Sequence, residues 1–199
     1  MNSICVLGLG YIGLPTAGMF ATHGFKVVGI DINGKILDKV RQGRPHIKEK
    51  GLDLLVETAV QSGNFEVSSH PKPCDVFIIA VPTPITTDKR ADLSFVKMAA
   101  ESILPVLRPG NLVVLESTSP PGTTKDLLVP ILAKSGLKVS EELFVAYCPE
   151  RVLPGRIIEE IANNNRIIGG VNLKSAEIAK RIYSSFVKGN IFLTDAATA

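Results

Sequence analysis

At 199 residues, with 45% hydrophobic and 21% charged side chains, the chain has the length and composition of a soluble globular domain able to bury a real core. A net charge of +3, from 22 basic and 19 acidic residues spread without runs, gives no footprint for a nucleic-acid partner. The 3 cysteines, Cys5, Cys74 and Cys148, are odd in number, widely spaced and without metal-ligand spacing, which argues against a disulfide framework or a metal site and predicts a reducing, cytoplasmic setting.

Taken in order, Ile4 to Leu7 is a short apolar run of strand formers, followed by the glycines Gly8, Gly10 and Gly13 at G-x-G-x-x-G spacing. Leu14 to His23 reads as a helix, and Val27 to Ile30 as a second strand ending on Asp31. The apolar N-terminus lacks a basic leader region and is broken by its glycines, so it reads as strand and helix rather than a signal peptide. Residues 33–42 form a helix capped by Asn33 and stopped by Gly43, residues 44–50 a loop, and Leu52 to Val60 an amphipathic helix. Phe65 to Val67 is a short strand. The continuous apolar run Asp75 to Val81 suits a strand buried on both faces of a parallel sheet.

That strand empties into Pro82-Thr83-Pro84, and Asp92 then caps a helix with Leu93, Val96, Ala100, Ile103 and Leu107 at helical spacing. Leu112 to Leu115 is a strand ending at Glu116-Ser117-Thr118-Ser119-Pro120-Pro121-Gly122, with a helix from Thr123 to Lys134 after it. Leu143 to Tyr147 makes the next strand and opens into Cys148 to Arg156. A short helix (157–162), a strand (Arg166 to Ile168), an amphipathic helix (173–187) and a last strand (Ile191 to Leu193) follow. Asp195 then caps a turn that reads as the start of another helix, so the chain is expected to be a fragment. No run approaches the roughly 18 apolar residues of a membrane span.

This alternation predicts an α/β fold: a doubly wound, mainly parallel, Rossmann-like sheet with helices on both faces, spanning 1–199 as one domain. Ligands bind such sheets beyond the carboxyl ends of the strands. In the first unit, Gly8 permits the tight turn, Gly10 admits a pyrophosphate to the backbone, and Gly13 lets helix and strand pack closely. The helix start offers unpaired N–H groups to the phosphates. Asp31 at the end of the second strand favours a free ribose 2′-hydroxyl and hence NAD over NADP, although Lys35 lies close by.

Other strand-end residues carry two readings each. The Thr118 hydroxyl is either a contact to a nicotinamide or reacting oxygen, or a plain loop threonine. Thr83 is likewise a cofactor contact or a residue trapped between prolines. Glu150 either orients water or acts as a base, or is an exposed glutamate paired with Arg151. Arg151 and Arg156 are a phosphate grip or solvated surface charge. Cys148 has no activating histidine nearby in sequence, since His23, His46 and His70 lie in other segments, and reads as a structural thiol.

Taken together, Gly8-Leu9-Gly10-Tyr11-Ile12-Gly13-Leu14-Pro15, Val81-Pro82-Thr83-Pro84, Glu116-Ser117-Thr118-Ser119-Pro120, Tyr147-Cys148-Pro149-Glu150-Arg151-Val152-Leu153-Pro154-Gly155 and Arg166-Ile167-Ile168-Gly169-Gly170 resemble the N-terminal half of the UDP-glucose and GDP-mannose dehydrogenase family. The Pro149 to Gly155 form is most similar to the branch acting on UDP-N-acetyl-D-mannosamine. The resemblance implies oxidation of the sugar C6 alcohol to a carboxylate, with two NAD⁺ reduced in succession, in polysaccharide biosynthesis. It implies that Tyr11, Ile12, Asp31, Thr83 and Thr118 contact NAD, and that Arg151 and Val152 lie at the sugar nucleotide. It also implies that Glu150 handles water or protons with Thr118 assisting, and that the full-length enzyme is a homodimer. The family's nucleophilic cysteine, in a Gly-Gly-His-Cys-type motif, and its catalytic lysine fall beyond Ala199. Cys148 does not match that nucleophile, so this chain is expected to bind NAD without completing an oxidation. The alternatives are a non-catalytic NAD-binding module, a UDP-N-acetylglucosamine or UDP-glucose 6-dehydrogenase, and another two-domain dehydrogenase such as a hydroxyacid type, against which the Pro149 to Gly155 stretch counts.

Overall fold

A computed structural model describes residues 1–199. Its elements are β1 (Ser3–Leu7), α1 (Gly13–Thr22), β2 (Lys26–Ile30), α2 (Gly34–Arg41), α3 (Leu52–Gln61), β3 (Phe65–Ser68), β4 (Val76–Ile79), α4 (Ser94–Ile103), β5 (Leu112–Leu115), α5 (Val129–Leu132), β6 (Phe144–Tyr147), α6 (Ile157–Asn163), β7 (Arg166–Gly170), α7 (Leu173–Tyr183) and β8 (Ile191–Asp195). They build one 8-stranded sheet in the order β3-β2-β1-β4-β5-β6-β7-β8. Every neighbouring pair is parallel except β6 and β7, where Ala146 faces Gly170 and Tyr147 faces Gly169 in antiparallel register.

The strand sequences explain this architecture. Every residue of β4 (VFII), β5 (LVVL) and β6 (FVAY) is buried, because helices cover both faces and leave no solvated side. Successive side chains alternate between two cores. Val6, Ile78 and Val114 point to the layer with α1, α2, α3, α6 and α7. Leu7, Ile79 and Leu115 point to the layer with α4 and α5. A fully enclosed aliphatic side chain such as Ile78, 0% exposed, contributes about 1.5–3 kcal/mol by leaving water. The chain reverses its winding between β1 and β4, which opens the crevice where such sheets take ligands.

The expected elements are present, with differences that trace to prolines. The α4 helix stops at Ile103, because Pro105 lacks an N–H and its ring collides with the preceding turn. A 3-10 turn (Leu104–Val106) follows, and Leu107 is extended, although it still packs on the core. The helix expected from Thr123 begins as a π turn (Thr124–Leu128), with the Val129 N–H bonded to the Thr124 carbonyl. Pro130 cannot donate to the Asp126 carbonyl, and the wider turn accommodates it. Asp92 lies one residue before the true cap position, Leu93, yet still accepts the Ser94 N–H at 2.9 Å. The helix expected over 173–187 ends at Tyr183. No helix is long and apolar enough to cross a membrane, and no group of three or more His, Cys, Asp or Glu is placed to hold a metal ion.

Candidate dinucleotide and substrate site

The glycine loop closes over the end of β1. Gly8 has φ +91°, and a Cβ there would stand 2.6 Å from the Ala80 carbonyl oxygen. At Gly13 a Cβ would overlap the Gly8 carbonyl oxygen, so a side chain would push α1 off the sheet. Gly10 is different. No heavy atom lies within 4 Å of its Cβ position, which leaves its backbone open to a ligand. The first helical bonds run from the Leu14 N–H to Gly10 (3.1 Å) and from the Thr16 N–H to Ile12 (3.0 Å), while the amides of Tyr11 and Ile12 have no partner within the chain. With no acidic side chain in the first turn of α1, its positive end is uncompensated. An open glycine, free amides and a helix dipole make a cradle for a phosphate-bearing ligand.

At the end of β2, the Asp31 carboxylate accepts the Leu9 N–H at 3.0 Å and the Asn33 N–H at 2.8 Å. These bonds lock the acid beside the glycine loop while leaving lone pairs on both oxygens. Ile32 next to it is 90% exposed, and Tyr11 is 51% exposed, so both offer bare apolar surface at this edge.

The loops after β4 and β5 are tied together. Thr83 donates its hydroxyl to the Thr118 carbonyl at 2.7 Å, and Ser117 donates to the Val81 carbonyl at 2.7 Å. The Tyr147 hydroxyl sits against Ser119, accepting its N–H at 3.3 Å. Two residues singled out from sequence, Thr83 and Thr118, are thus neighbours.

Beneath these loops lies a buried polar cluster. The Glu116 side chain is 0% exposed. Its oxygens accept from Arg166 (3.2 Å), the Thr16 hydroxyl on α1 (3.2 Å) and the Tyr183 hydroxyl on α7 (3.2 Å). The other end of the Arg166 guanidinium donates to Glu150 at 2.5 Å, and the group lies 4.7 Å over the Tyr183 ring. Burial pushes the Glu116 carboxyl up to about 7, with Arg166 pulling it down and Glu150 adding to the rise. Burial also opposes the Arg166 charge, but Cys148 and the two carboxylates hold it protonated well above the usual range. The Cys148 thiol, 0% exposed, is pushed up to about 12 by burial.

Glu150 is therefore neither exposed nor paired with the Arg151 side chain. Its side chain is 7% exposed, and it meets Arg151 only through that residue's backbone N–H, at 2.8 Å. The Arg151 guanidinium donates to the Asn165 carbonyl at 2.8 Å. Val152 is half-buried against the core, and Arg156 makes exposed ion pairs with Glu159 and Glu160. The loop is anchored from below by Glu49, 8% exposed, which accepts the N–H groups of Gly155 (3.0 Å) and Ile157 (3.3 Å).

Thr16, Tyr183, Arg166 and Glu49 escape a reading confined to residues just after strands. One usable signal exists: a charged residue ending an apolar run (Glu116) or opening one (Arg166) must find a partner when buried.

The glycine cradle, the spaced acid and the doubly wound sheet define a dinucleotide-binding domain. The chain belongs to the UDP-glucose/GDP-mannose dehydrogenase family, whose NAD binding domain matches residues 2–187. It is 51% identical to the UDP-N-acetyl-D-mannosamine dehydrogenase of Methanocaldococcus jannaschii, covering 98% of this chain and 45% of that protein. It is 48% identical to an NDP-N-acetyl-D-galactosaminuronic acid dehydrogenase of Ralstonia nicotianae, covering 100% of this chain and 48% of that protein. The UDP-N-acetyl-mannosamine dehydrogenase Cap5O from Staphylococcus aureus superposes with a TM-score of 0.96 at 48% identity, over 99% of this chain and 48% of that one. The chain spans about half the length of the relatives it matches.

Proposed function

We propose that this chain is the NAD-binding half of a nucleotide-sugar 6-dehydrogenase that oxidises the C6 alcohol of a UDP-sugar, UDP-N-acetyl-D-mannosamine, to the uronate. The observation that carries this reading is the meeting of two features at one sheet edge. The Gly10 backbone is open beyond β1, and Arg166 fixes the Glu150 carboxylate in the Cys148–Gly155 loop beyond β6, which supports a dinucleotide at the first and substrate chemistry at the second. The UDP-N-acetyl-D-mannosamine dehydrogenases among the relatives suggest the sugar.

Bound NAD⁺ supplies the hydride acceptor for each of two successive oxidations. The chain's own residues divide the remaining work. Gly8, Gly10 and Gly13, with the amides of Tyr11 and Ile12, cradle the pyrophosphate. Asp31 takes the ribose hydroxyls, and Thr83 and Thr118 line the nicotinamide side. Glu150, assisted by the Thr118 hydroxyl, handles the water and protons of the reaction. Arg151 and Val152 meet the sugar nucleotide. Cys148 takes no part, because a thiol held at about 12 is almost wholly protonated at neutral pH. The nucleophilic cysteine and the lysine belong to the other half of the protein, which works in the cytoplasm as a homodimer.

The test is a coupled assay of the full-length protein across UDP-N-acetylmannosamine, UDP-N-acetylglucosamine, UDP-N-acetylgalactosamine and UDP-glucose. It should show NADH production fastest with the first, while the isolated chain binds NADH and turns over none of them. Preference for the galactosamine substrate would instead make the chain part of an N-acetylgalactosamine-type 6-dehydrogenase, a reading that the Ralstonia relative supports. Turnover by the isolated chain would remove the need for residues outside it.

A further inference from the structure

Arg166 opens β7 in a place where an unpaired charge could not survive. Its side chain is 4% exposed, and it contacts both buried carboxylates, Glu116 at 3.2 Å and Glu150 at 2.5 Å. A buried guanidinium between two carboxylates is a poor way to gain stability, since apolar residues of similar volume often serve as well or better. What such a group supplies is geometry: a planar fork with donors in fixed directions.

The fork's two ends lie on different parts of the fold. Nη1 donates to Glu116, whose second oxygen accepts the Thr16 hydroxyl at 3.2 Å, two turns or less from the glycine loop on α1. Nη2 donates to Glu150 on the loop after β6. The restraint is reciprocal, because Arg151 on that loop donates to the Asn165 carbonyl, the residue before Arg166. The antiparallel course of β7 makes this possible, since it delivers the first residue of the strand to the edge where β6 ends.

We propose that Arg166 is the positioning residue for the Glu150 carboxylate and that, through Glu116 and Thr16, it ties the place of that carboxylate to the cofactor helix α1. The proposal rests on the role given to Glu150 above. Arg166, its side chain 4% exposed, acts by fixing where Glu150 stands relative to the nicotinamide. A lysine at this position keeps one charge but has a single ammonium head in place of the fork, and cannot hold both carboxylates in the same geometry.

The experiment is a double-mutant cycle in the full-length protein with Arg166→Lys, Glu150→Gln and the pair. Displacement of a reacting group by about 1 Å costs about 100-fold, so kcat should fall by that order in Arg166→Lys, with KM for NAD⁺ changed less than about 2-fold. The double variant should be no slower than Glu150→Gln alone, because a positioning residue has nothing to lose once its target is gone. A merely structural arginine would instead lower kcat equally in both backgrounds, and that additivity would overturn the proposal. So would wild-type kcat in a folded Arg166→Lys protein. If Arg166→Lys does not fold, Glu150→Asp takes its place, leaving the Arg166–Glu116 pair intact while drawing the carboxylate back from the fork. A fall in kcat at unchanged Tm supports positioning, and wild-type kcat refutes it. The reading beneath it is scored separately: unchanged turnover in Glu150→Gln removes Glu150 from the reaction whatever Arg166 does.

Discussion

The Arg166 guanidinium meets the Glu116 carboxylate at 3.2 Å with side chains 4% and 0% exposed, and yet that carboxyl holds its proton more tightly than a free glutamate does. Arg166 is shared with Glu150, whose negative charge adds to the rise at Glu116. Desolvation therefore prevails over the ion pair, and the carboxyl is lifted from 4.5 to about 7.

A pH dependence of stability follows. The folded chain retains a proton on Glu116 between 4.5 and about 7, over which the unfolded chain has released it. The stabilisation from this group is complete below 4.5 and is lost as pH rises through 7, by a total on the order of 3 kcal/mol. Urea midpoints of the isolated chain should fall from pH 5 to pH 8 more steeply than those of Glu116→Gln, which keeps the shape without the titration. Parallel pH profiles for the two proteins would show that Glu116 is already ionised at pH 5.

The glycines of the first loop should separate binding from folding. Gly13→Ala drives a Cβ into the Gly8 carbonyl, so the isolated chain should lose several °C of Tm, an overpacking cost of about 1–3 kcal/mol. Gly10→Ala meets nothing within 4 Å and should leave Tm unchanged, while its methyl group should intrude on the space proposed for the pyrophosphate. A loss of at least about 10-fold in NADH affinity, or about 1.4 kcal/mol, is expected from fluorescence titration. Equal affinity in Gly10→Ala and wild type would place the phosphates elsewhere.

The contrast between these sites shows what was legible in the amino-acid sequence. The glycine unit and Asp31 are readable because their geometry is set by backbone constraints within a single strand–turn–helix–strand unit. The buried strands are readable because covering both faces leaves a continuous apolar run. Arg166 is readable only as a charge opening an apolar run that must find a partner, and not as to which partner. The rule that ligand residues follow strands holds for parallel strands, and β7 is antiparallel to β6, so the residue it brings to this edge is its first. Glu116 stands at a strand end as expected, but its partners lie 50, 67 and 100 residues away, and no local pattern encodes such pairings. Of the two readings of Glu150, the exposed glutamate paired with Arg151 fails for the same reason, since its side chain is 7% exposed and its partner is Arg166 and not its neighbour in the chain.

Cys148 provides the last prediction. It stands two residues before Glu150 in the loop proposed to meet substrate, where a reactive thiol would be easy to assume. Its sulfur is instead enclosed, 0% exposed, and accepts from Arg166 at 3.5 Å. Burial outweighs the nearby guanidinium and holds the thiol at about 12, so the thiolate fraction at pH 7 is about one part in 10⁵. Cys5 and Cys74 are buried as well. Iodoacetamide at pH 7.5 should label none of the three cysteines in the folded chain and all of them in guanidinium chloride, read by intact-protein mass. In the full-length protein, Cys148→Ala should retain NADH production within about 3-fold, with only the loss of about 1 kcal/mol in stability typical of a small buried truncation. Loss of turnover in a stable, NADH-binding Cys148→Ala protein would return this thiol to the chemistry and displace the nucleophile assigned to the other half.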